Sequence, residues 1–146
     1  MSPKRIYFYR MDARGRLFHE KSELNDPNFL DFFISRIRKN KTGLHTEFPY
    51  LSICAGEWNF IQPETSVFVF QRLEEAKLFY APSLALPFQP NQLRIFRNSL
   101  VHPDPLGEWG SFSRELLFEI SNQVIERENE FYFQFGPEEF RIPVLL

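Results

Sequence analysis

Short runs of β-prone residues, separated by glycine, proline or charged clusters, fill most of this sequence from residue 48 onward. The runs YLSIC, EWNFI, VFVFQRL and KLFYA are rich in aromatic and branched residues, which favour a pleated surface. Residues 5–20 predict two further strands around a turn at residues 12–15, where Gly15 can adopt positive φ. So many short strands, with few helical patterns between them, favour antiparallel pairing over a parallel βαβ sheet.

One segment, residues 25–40, carries a clear helical pattern. Asp26 is placed to cap the helix, and Pro27 suits its first turn. The apolar positions recur at helical spacing, namely Leu30, Phe33, Ile34 and Ile37. Three cations complement the dipole of the predicted last turn: Arg36, Arg38 and Lys39. Gly43 then ends the pattern, so the sequence predicts one long helix.

The second half of the chain is less regular. Residues 81–110 are rich in proline and predict a loop-rich section with short strands near LALPF and RIF. Residues 114–128 fit either a helix or a strand, and the run LLFEI favours a strand. Residues 130–145 predict a C-terminal hairpin around GPEE. Its last strand should lie at a sheet edge, because Pro143 cannot donate a ladder hydrogen bond.

These elements predict an α+β fold, in which one principal helix packs across a curved, mostly antiparallel sheet with a C-terminal β-hairpin. A length of 146 residues is typical of a single domain, which we expect to cover residues 1–146. Because 43% of the residues are hydrophobic and 17% are aromatic, the chain has enough apolar side chains for one core.

Charge and cysteine content bear on the compartment and the partners. Residues 1–45 carry ten Lys or Arg against five Asp or Glu, giving +5, whereas residues 46–146 carry seven against fourteen, giving −7. A basic N-terminal third can attract phosphates or an acidic partner, or can simply be a solvated surface. One cysteine excludes an intrachain disulfide, and no apolar run reaches the roughly 20 residues of a membrane helix. We therefore expect a soluble cytoplasmic protein with no membrane partner.

Two side chains could carry catalysis. Cys54 ends a strand-like run before a small-residue turn that could expose its thiol, although lone cysteines are commonly core residues. His102 lies near Asp104, where a carboxylate could orient it as a base or where both could serve a tight turn. The sequence contains no phosphate-binding glycine loop, nucleophile elbow or local pair of metal ligands. We therefore expect no metal and no cofactor.

Six segments occur in an order that resembles one uncharacterised protein family: YFYRMDARGRLF, DPNFLDFFISRIRKNKTG, FPYLSICAGEWNF, LALPFQPNQL, LVHP and RELLFEIS. Members of that family occur in bacteria and, with an added N-terminal targeting region, in eukaryotes, where they are linked to mitochondria. The resemblance implies no activity. It singles out polar positions, namely Arg36, Arg38, Cys54, Glu57, Asn59, His102, Arg114 and Glu119. This chain has Ala55-Gly56 where the family pattern places glycine directly after the cysteine.

Three functions follow as hypotheses. The first is a non-catalytic binding or assembly module in which a polar set holds a protein partner or a small anionic ligand: Arg36, Arg38, Glu57, Asn59, His102 and Arg114, with Glu119 as a further candidate. The second is a cysteine-dependent enzyme with Cys54 as nucleophile, His102 as base and Arg114 as anion clamp. The third is RNA binding through the basic N-terminal hairpin, where KRIYFYR alternates cations with aromatics. A structural role for the polar set, holding irregular loops together, is the alternative to all three. Because strong catalytic motifs are missing from the sequence, we favour the binding module.

Overall fold

The computed structural model describes residues 2–146, and within them it has two α-helices and sixteen β-strands. In chain order the elements are β1 (Arg5–Met11), β2 (Leu17–His19), β3 (Ser22–Leu24), α1 (Pro27–Ser35), β4 (Ile37–Lys39), β5 (Tyr50–Cys54), β6 (Glu57–Pro63), β7 (Val69–Phe70), β8 (Arg72–Glu74), β9 (Lys77–Phe79), β10 (Ala85–Pro87), a 3-10 turn (Pro90–Gln92), β11 (Arg94–Phe96), β12 (Ser99–Pro103), β13 (Trp109–Phe112), α2 (Arg114–Ser121), β14 (Val124–Arg127), β15 (Glu130–Phe135) and β16 (Glu138–Arg141).

The first half of the chain forms a six-stranded sheet in the order β3-β2-β1-β6-β5-β4. Its neighbours pair antiparallel except β1 and β6, which run parallel. Helix α1 packs on this sheet through Phe33 and Ile34, both buried, and the Tyr9 ring lies 4.8 Å from the Phe33 ring. The side chains between α1 and the sheet form one apolar cluster, which includes Met11, Cys54 and Ile61.

Helix α1 is shorter than the sequence predicts. Asp26 caps it as expected, accepting a 2.8 Å hydrogen bond from the Phe29 N–H, and Pro27 lies in its first turn. The prediction that the helix reaches residue 40 was wrong, because the chain leaves the helix at Arg36 and pairs as β4 with β5. Ile37, which was expected on the helix, lies in β4 and is buried in the same cluster. Its burial is therefore compatible with either a helix or a strand.

The second half of the chain forms smaller sheets. The order β11-β12-β13-β7 makes a four-stranded sheet in which β13 and β7 run parallel, and two three-stranded antiparallel sheets have the orders β10-β9-β8 and β14-β15-β16. Their apolar side chains pack with one face of α2 in a second cluster that includes Phe70, Phe112 and Phe133. Tyr80 packs against both clusters and so connects the two cores.

The strand predicted at LLFEI was wrong, because residues 114–121 form α2. The Ser113 hydroxyl caps this helix and accepts a hydrogen bond from the Leu116 N–H at 3.2 Å. Leu116 and Ile120, four residues apart, point into the second core. A strand does begin in this region, but only at Val124, after the helix has ended.

The predicted α+β class is confirmed, and antiparallel pairs dominate the sheets. The structure has two helices of nine and eight residues where one principal helix was predicted, and several small sheets where one was predicted. Curvature of the sheet and a single domain over residues 1–146 stay predictions. Among residues 2–146, no helix combines the length and the apolarity needed to cross a membrane.

The predicted C-terminal hairpin is present as β15 and β16, joined at Gly136. Strand β16 lies at the edge of its sheet, but Pro143 follows that strand and does not belong to it. The Pro143 carbonyl accepts from the Ile95 N–H at 2.9 Å, and the Leu145 N–H donates to the Ile95 carbonyl at 2.8 Å. The last residues therefore pair with β11 of the same chain.

Two hairpin turns, at residues 12–15 and 104–107, share one hydrogen-bond pattern. In the first, the Asp12 Oδ1 accepts from the N–H groups of Arg14 and Arg16, and Gly15, at φ +84°, donates to the Asp12 carbonyl. In the second, Asp104 Oδ1 accepts from the N–H groups two and four residues ahead, and Gly107 repeats the role of Gly15. The first of these turns places Arg14 at the candidate site.

Candidate functional site

Cys54 lies at the end of β5 and is 8% exposed. Its Sγ is 3.3 Å from the Ser52 Oγ, which donates its own proton to the Phe33 carbonyl at 2.6 Å. Since the Ser52 proton is used there, the thiol is left to donate to the Ser52 oxygen. Cys54 therefore acts as a hydrogen-bond donor within the first core.

His102 lies in the second core, with the rings of Phe70 and Phe88 at 5.6 Å and 5.7 Å. Its Nε2 accepts from the Gln89 N–H at 3.1 Å, and its Nδ1 donates to the Pro103 carbonyl at 2.9 Å. Burial lowers the pKa of His102, which keeps the ring neutral. Both ring nitrogens are thus engaged, and within the described chain the Cys54–His102 pair that the enzyme hypothesis requires is not formed.

The other predicted polar residues lie apart from one another. Asn59 is buried and donates to the Ser52 carbonyl at 2.9 Å, which ties β5 to β6. Glu57 lies 3.8 Å from Arg5, and the Arg36 guanidinium stacks at 5.0 Å from the Phe32 ring. Glu119 is exposed on α2. These contacts are local, and across residues 2–146 they do not bring these predicted residues to one pocket.

Arg38 lies on the edge strand β4, beside a depression of about 590 Å³ that also has Lys41 on its rim. Lys39, the third cation that lines this depression, forms a salt bridge with Glu108 at 2.6 Å. The tyrosines proposed to stack RNA bases are engaged within the chain: Tyr7 packs edge-on against His19, and Tyr9 packs against Phe33. Neither ring is presented freely on the hairpin.

Arg114, a second predicted residue, lines another pocket. The pocket has a volume of about 490 Å³ and lies where the β1–β2 turn, β13 and the first turn of α2 meet. We name it the α2 pocket, and its lining residues are Asp12, Ala13, Arg14, Arg16, Glu64, Thr65, Ser99, Ser111, Phe112, Arg114 and Leu117.

Close packing between the two halves of the chain brings these residues together. Gly15 in the β1–β2 turn lies against β7, where a Cβ on the glycine would come within 2.6 Å of Gln71 and 3.1 Å of Val69. Val69 in turn pairs with Ser111 of β13. Strand β7 therefore connects the turn that carries Arg14 to the strand that carries Ser111.

The carboxylates of the α2 pocket are already bound to protein groups. Asp12 Oδ2 accepts from Arg16 Nε at 2.7 Å, and Glu64 Oε2 accepts from the Ala13 N–H at 2.8 Å. Burial would raise the pKa of Asp12, but its hydrogen bonds from Arg16 and Arg14 outweigh that effect and lower it. Three arginines against two carboxylates leave the lining with a net positive charge.

Ser111 supplies a free polar atom. The residue is 8% exposed, and its Oγ is the one buried side-chain nitrogen or oxygen without a hydrogen-bond partner within residues 2–146. A buried hydroxyl left unpaired costs about 1–3 kcal/mol. Its neighbour Phe112 fills the second core from the same strand, which holds Ser111 in place. The Oγ has almost no exposed surface of its own, so the hydroxyl must turn toward the α2 pocket before an acceptor atom from a ligand can satisfy it.

The N-terminus of α2 adds to the attraction for anions. The first N–H groups of a helix have no partner within it, and the helix dipole places partial positive charge there. The Ser113 hydroxyl satisfies the Leu116 N–H, one of these groups. Ser111 and the side chains of Arg14 and Arg114 thus line one pocket beside this helix N-terminus, a donor set suited to phosphate or carboxylate.

Sequence reasoning missed Arg14 and Ser111. Arg14 falls in the predicted hairpin turn. Sequence analysis used it only as one of the positive charges of residues 1–45 and did not predict it as a site residue. Ser111 precedes a segment predicted as a strand, so the helix terminus beside it was not expected. Ser113 is a residue type that commonly caps helices, and considering it as an N-cap would have predicted the start of α2.

The chain matches, over residues 2–142, the family model described as "Domain of unknown function (DUF4505)". Two solved structures have a similar fold. A DUF1285 family protein from Shewanella baltica OS155 is 17% identical, with a TM-score of 0.59 over 80% of this chain and 91% of that one. A DUF1285 family protein from Silicibacter pomeroyi DSS-3 is 11% identical, with a TM-score of 0.66 over 97% of this chain and 83% of that one.

Proposed function

This chain belongs to the family of the domain of unknown function DUF4505, and we propose that it is a non-catalytic binding module whose α2 pocket holds a small anionic ligand. Membership of an uncharacterised family was predicted from the sequence and is confirmed. The proposed site keeps Arg114 from the predicted polar set and replaces its other members with Arg14 and Ser111.

One observation carries the proposal: the unpartnered Ser111 hydroxyl is buried in a pocket that also has Arg14 and Arg114 on its lining. Natural proteins satisfy nearly all buried polar groups, so an exception in a cationic pocket points to a ligand that completes it. Two guanidinium groups and one hydroxyl can donate to three oxygens of one tetrahedral anion.

The other hypotheses have weaker support. A thiol enzyme needs a base beside Cys54, whereas His102 has both nitrogens engaged in another core. RNA stacking on the N-terminal hairpin needs free aromatic rings, whereas Tyr9 packs against Phe33. A cytoplasmic location, which we also propose, suits a single buried thiol that needs no oxidising environment.

The test is calorimetric titration of the full chain with inorganic phosphate at low ionic strength. We expect Arg114→Ala to weaken phosphate binding by about 10- to 150-fold, since hydrogen bonds to charged groups contribute about 1.5–3 kcal/mol. Arg36→Ala is the matched control, because it removes one exposed helix-terminal arginine that lies outside the α2 pocket. Equal loss in both variants would show a general charge effect and would contradict the proposal.

A further inference from the structure

A second depression adjoins the α2 pocket. It has a volume of about 390 Å³ and is lined by Arg14, Arg114, Glu115 and Phe118. We name it the Phe118 depression. Because Arg14 and Arg114 line both spaces, a ligand bound by these two arginines can extend from one space into the other.

Phe118 is 79% exposed, far more than the other phenylalanines on the surface, such as Phe32 at 41% and Phe8 at 40%. It follows Arg114 by four residues on α2, so both lie on one face about 6 Å apart along the helix axis. The core-facing positions of α2 are Leu116 and Ile120, and Phe118 therefore contributes little to packing. An apolar ring kept in water beside two cations is a surface available for stacking.

Glu115 restricts what can lie there. Its side chain is 65% exposed, lies 3.9 Å from Arg14 Nε and lines the Phe118 depression. A second anionic group over Phe118 would be repelled by this carboxylate. A planar group carrying N–H donors would instead find an acceptor in Glu115 and a stacking partner in Phe118.

From these observations we propose that the ligand of the α2 pocket is a nucleoside monophosphate. Its phosphate binds Arg14, Arg114 and the Ser111 hydroxyl, and its base stacks on Phe118 with an amino group toward Glu115. A mononucleotide carries its phosphate and its base at opposite ends of one ribose, as the two adjoining spaces require. This inference rests on the proposed function of the α2 pocket and specifies its ligand class.

The experiment titrates the full chain with four probes at low ionic strength: inorganic phosphate, ribose 5-phosphate, adenosine 5′-monophosphate and adenosine. We expect the nucleotide to bind about 5- to 150-fold more tightly than ribose 5-phosphate, the gain that one base–aromatic contact supplies. Phe118→Ala should remove this difference and leave phosphate binding unchanged. Phe32→Ala is the matched control, since it truncates an exposed helical phenylalanine beside Arg36.

Each other outcome overturns the inference in a distinct way. If ribose 5-phosphate and the nucleotide bind equally, and Arg114→Ala weakens both, the anion site stands and the base does not contribute. If adenosine binds as tightly as its monophosphate, the ring is recognised without the anion. If neither phosphate nor the nucleotide binds, or if Arg114→Ala changes nothing, the proposed function fails together with the inference.

Discussion

The Asp12 carboxylate lies 2.7 Å from Arg16 Nε, and this ion pair determines which arginine of the β1–β2 turn is free for a ligand. Arg16 is bound to a carboxylate of its own turn. Arg14, by contrast, has only a 3.9 Å contact with the exposed Glu115. The same carboxylate accepts two backbone N–H groups and shapes the turn itself. A structural pair within the turn therefore leaves its neighbour available to the α2 pocket.

The two matched turns predict opposite effects of the same substitution. Asp12→Asn should destabilise the protein by about 1–3 kcal/mol at pH 7, because it removes a charge-assisted bond to Arg16. Asp104→Asn should be neutral or stabilising, because burial raises the pKa of Asp104 and so disfavours its charge, whereas an amide oxygen can still accept both N–H groups. Chemical denaturation of both variants measures this.

The two substitutions should also change the pH dependence of stability in opposite directions. A carboxyl with a lowered pKa contributes stability above its unfolded pKa, and that contribution is lost as pH falls through the folded value. The deficit of Asp12→Asn should therefore shrink on acidification. Asp104, with its raised pKa, contributes stability at low pH that is lost as pH rises through its folded value, so the gain of Asp104→Asn should grow as pH rises toward that value and be complete above it. Parallel curves for both variants would contradict this account.

Ser111 and Ser113 are both buried, two residues apart, and should respond differently to alanine. Ser113→Ala should lower stability by about 1 kcal/mol, because it removes the cap of α2. Ser111→Ala should leave the melting temperature unchanged or raise it, because it removes an unpaired hydroxyl, and it should weaken phosphate binding. Thermal unfolding and calorimetry on the two variants separate the roles. A clear loss of stability in Ser111→Ala would show that the hydroxyl has a structural partner.

The thiol of Cys54 should be alkylated only as fast as the protein opens. It is buried and donates to Ser52, so an alkylating reagent reaches the sulfur only when the core opens. Alkylation with iodoacetamide, native and in denaturant, gives one signal because the chain has one cysteine. Rapid native alkylation with an apparent pKa well below the usual value of about 8.5 would restore Cys54 as a candidate nucleophile.

His102 should make stability fall as the solution becomes acidic. Because burial lowers its folded pKa, the unfolded chain binds the proton first, and stability is lost as pH falls below the unfolded value of about 6.5. His102→Gln should cost about 1–3 kcal/mol at pH 7, since at least one of the two backbone contacts is lost. The cost should be smaller at pH 5. An equal cost at both pH values would mean that the ring does not titrate with folding.

Local signals predicted the elements whose sequence pattern suits one structure. Asp26 and Pro27 marked the start of α1, and the N-terminal and C-terminal hairpins formed where turn residues separate β-prone runs. The pattern failed where two structures bury the same side chains. Ile37 contacts the first core equally well from a helix or from β4, and only pairing with β5 decides between them.

Local sequence patterns were enough to predict the α+β class, the family resemblance and Arg114 as a candidate site residue. The match between the turns at residues 12–15 and 104–107 became visible in the folded chain, because they share little beyond an aspartate and a glycine three residues later. The tertiary structure also decided the candidate site. Arg14 and Ser111 are almost a hundred residues apart, and the parallel pairing of β7 with β13 brings them to one pocket. Periodicity and capping act over a few residues, whereas a site built across strands depends on packing between distant segments.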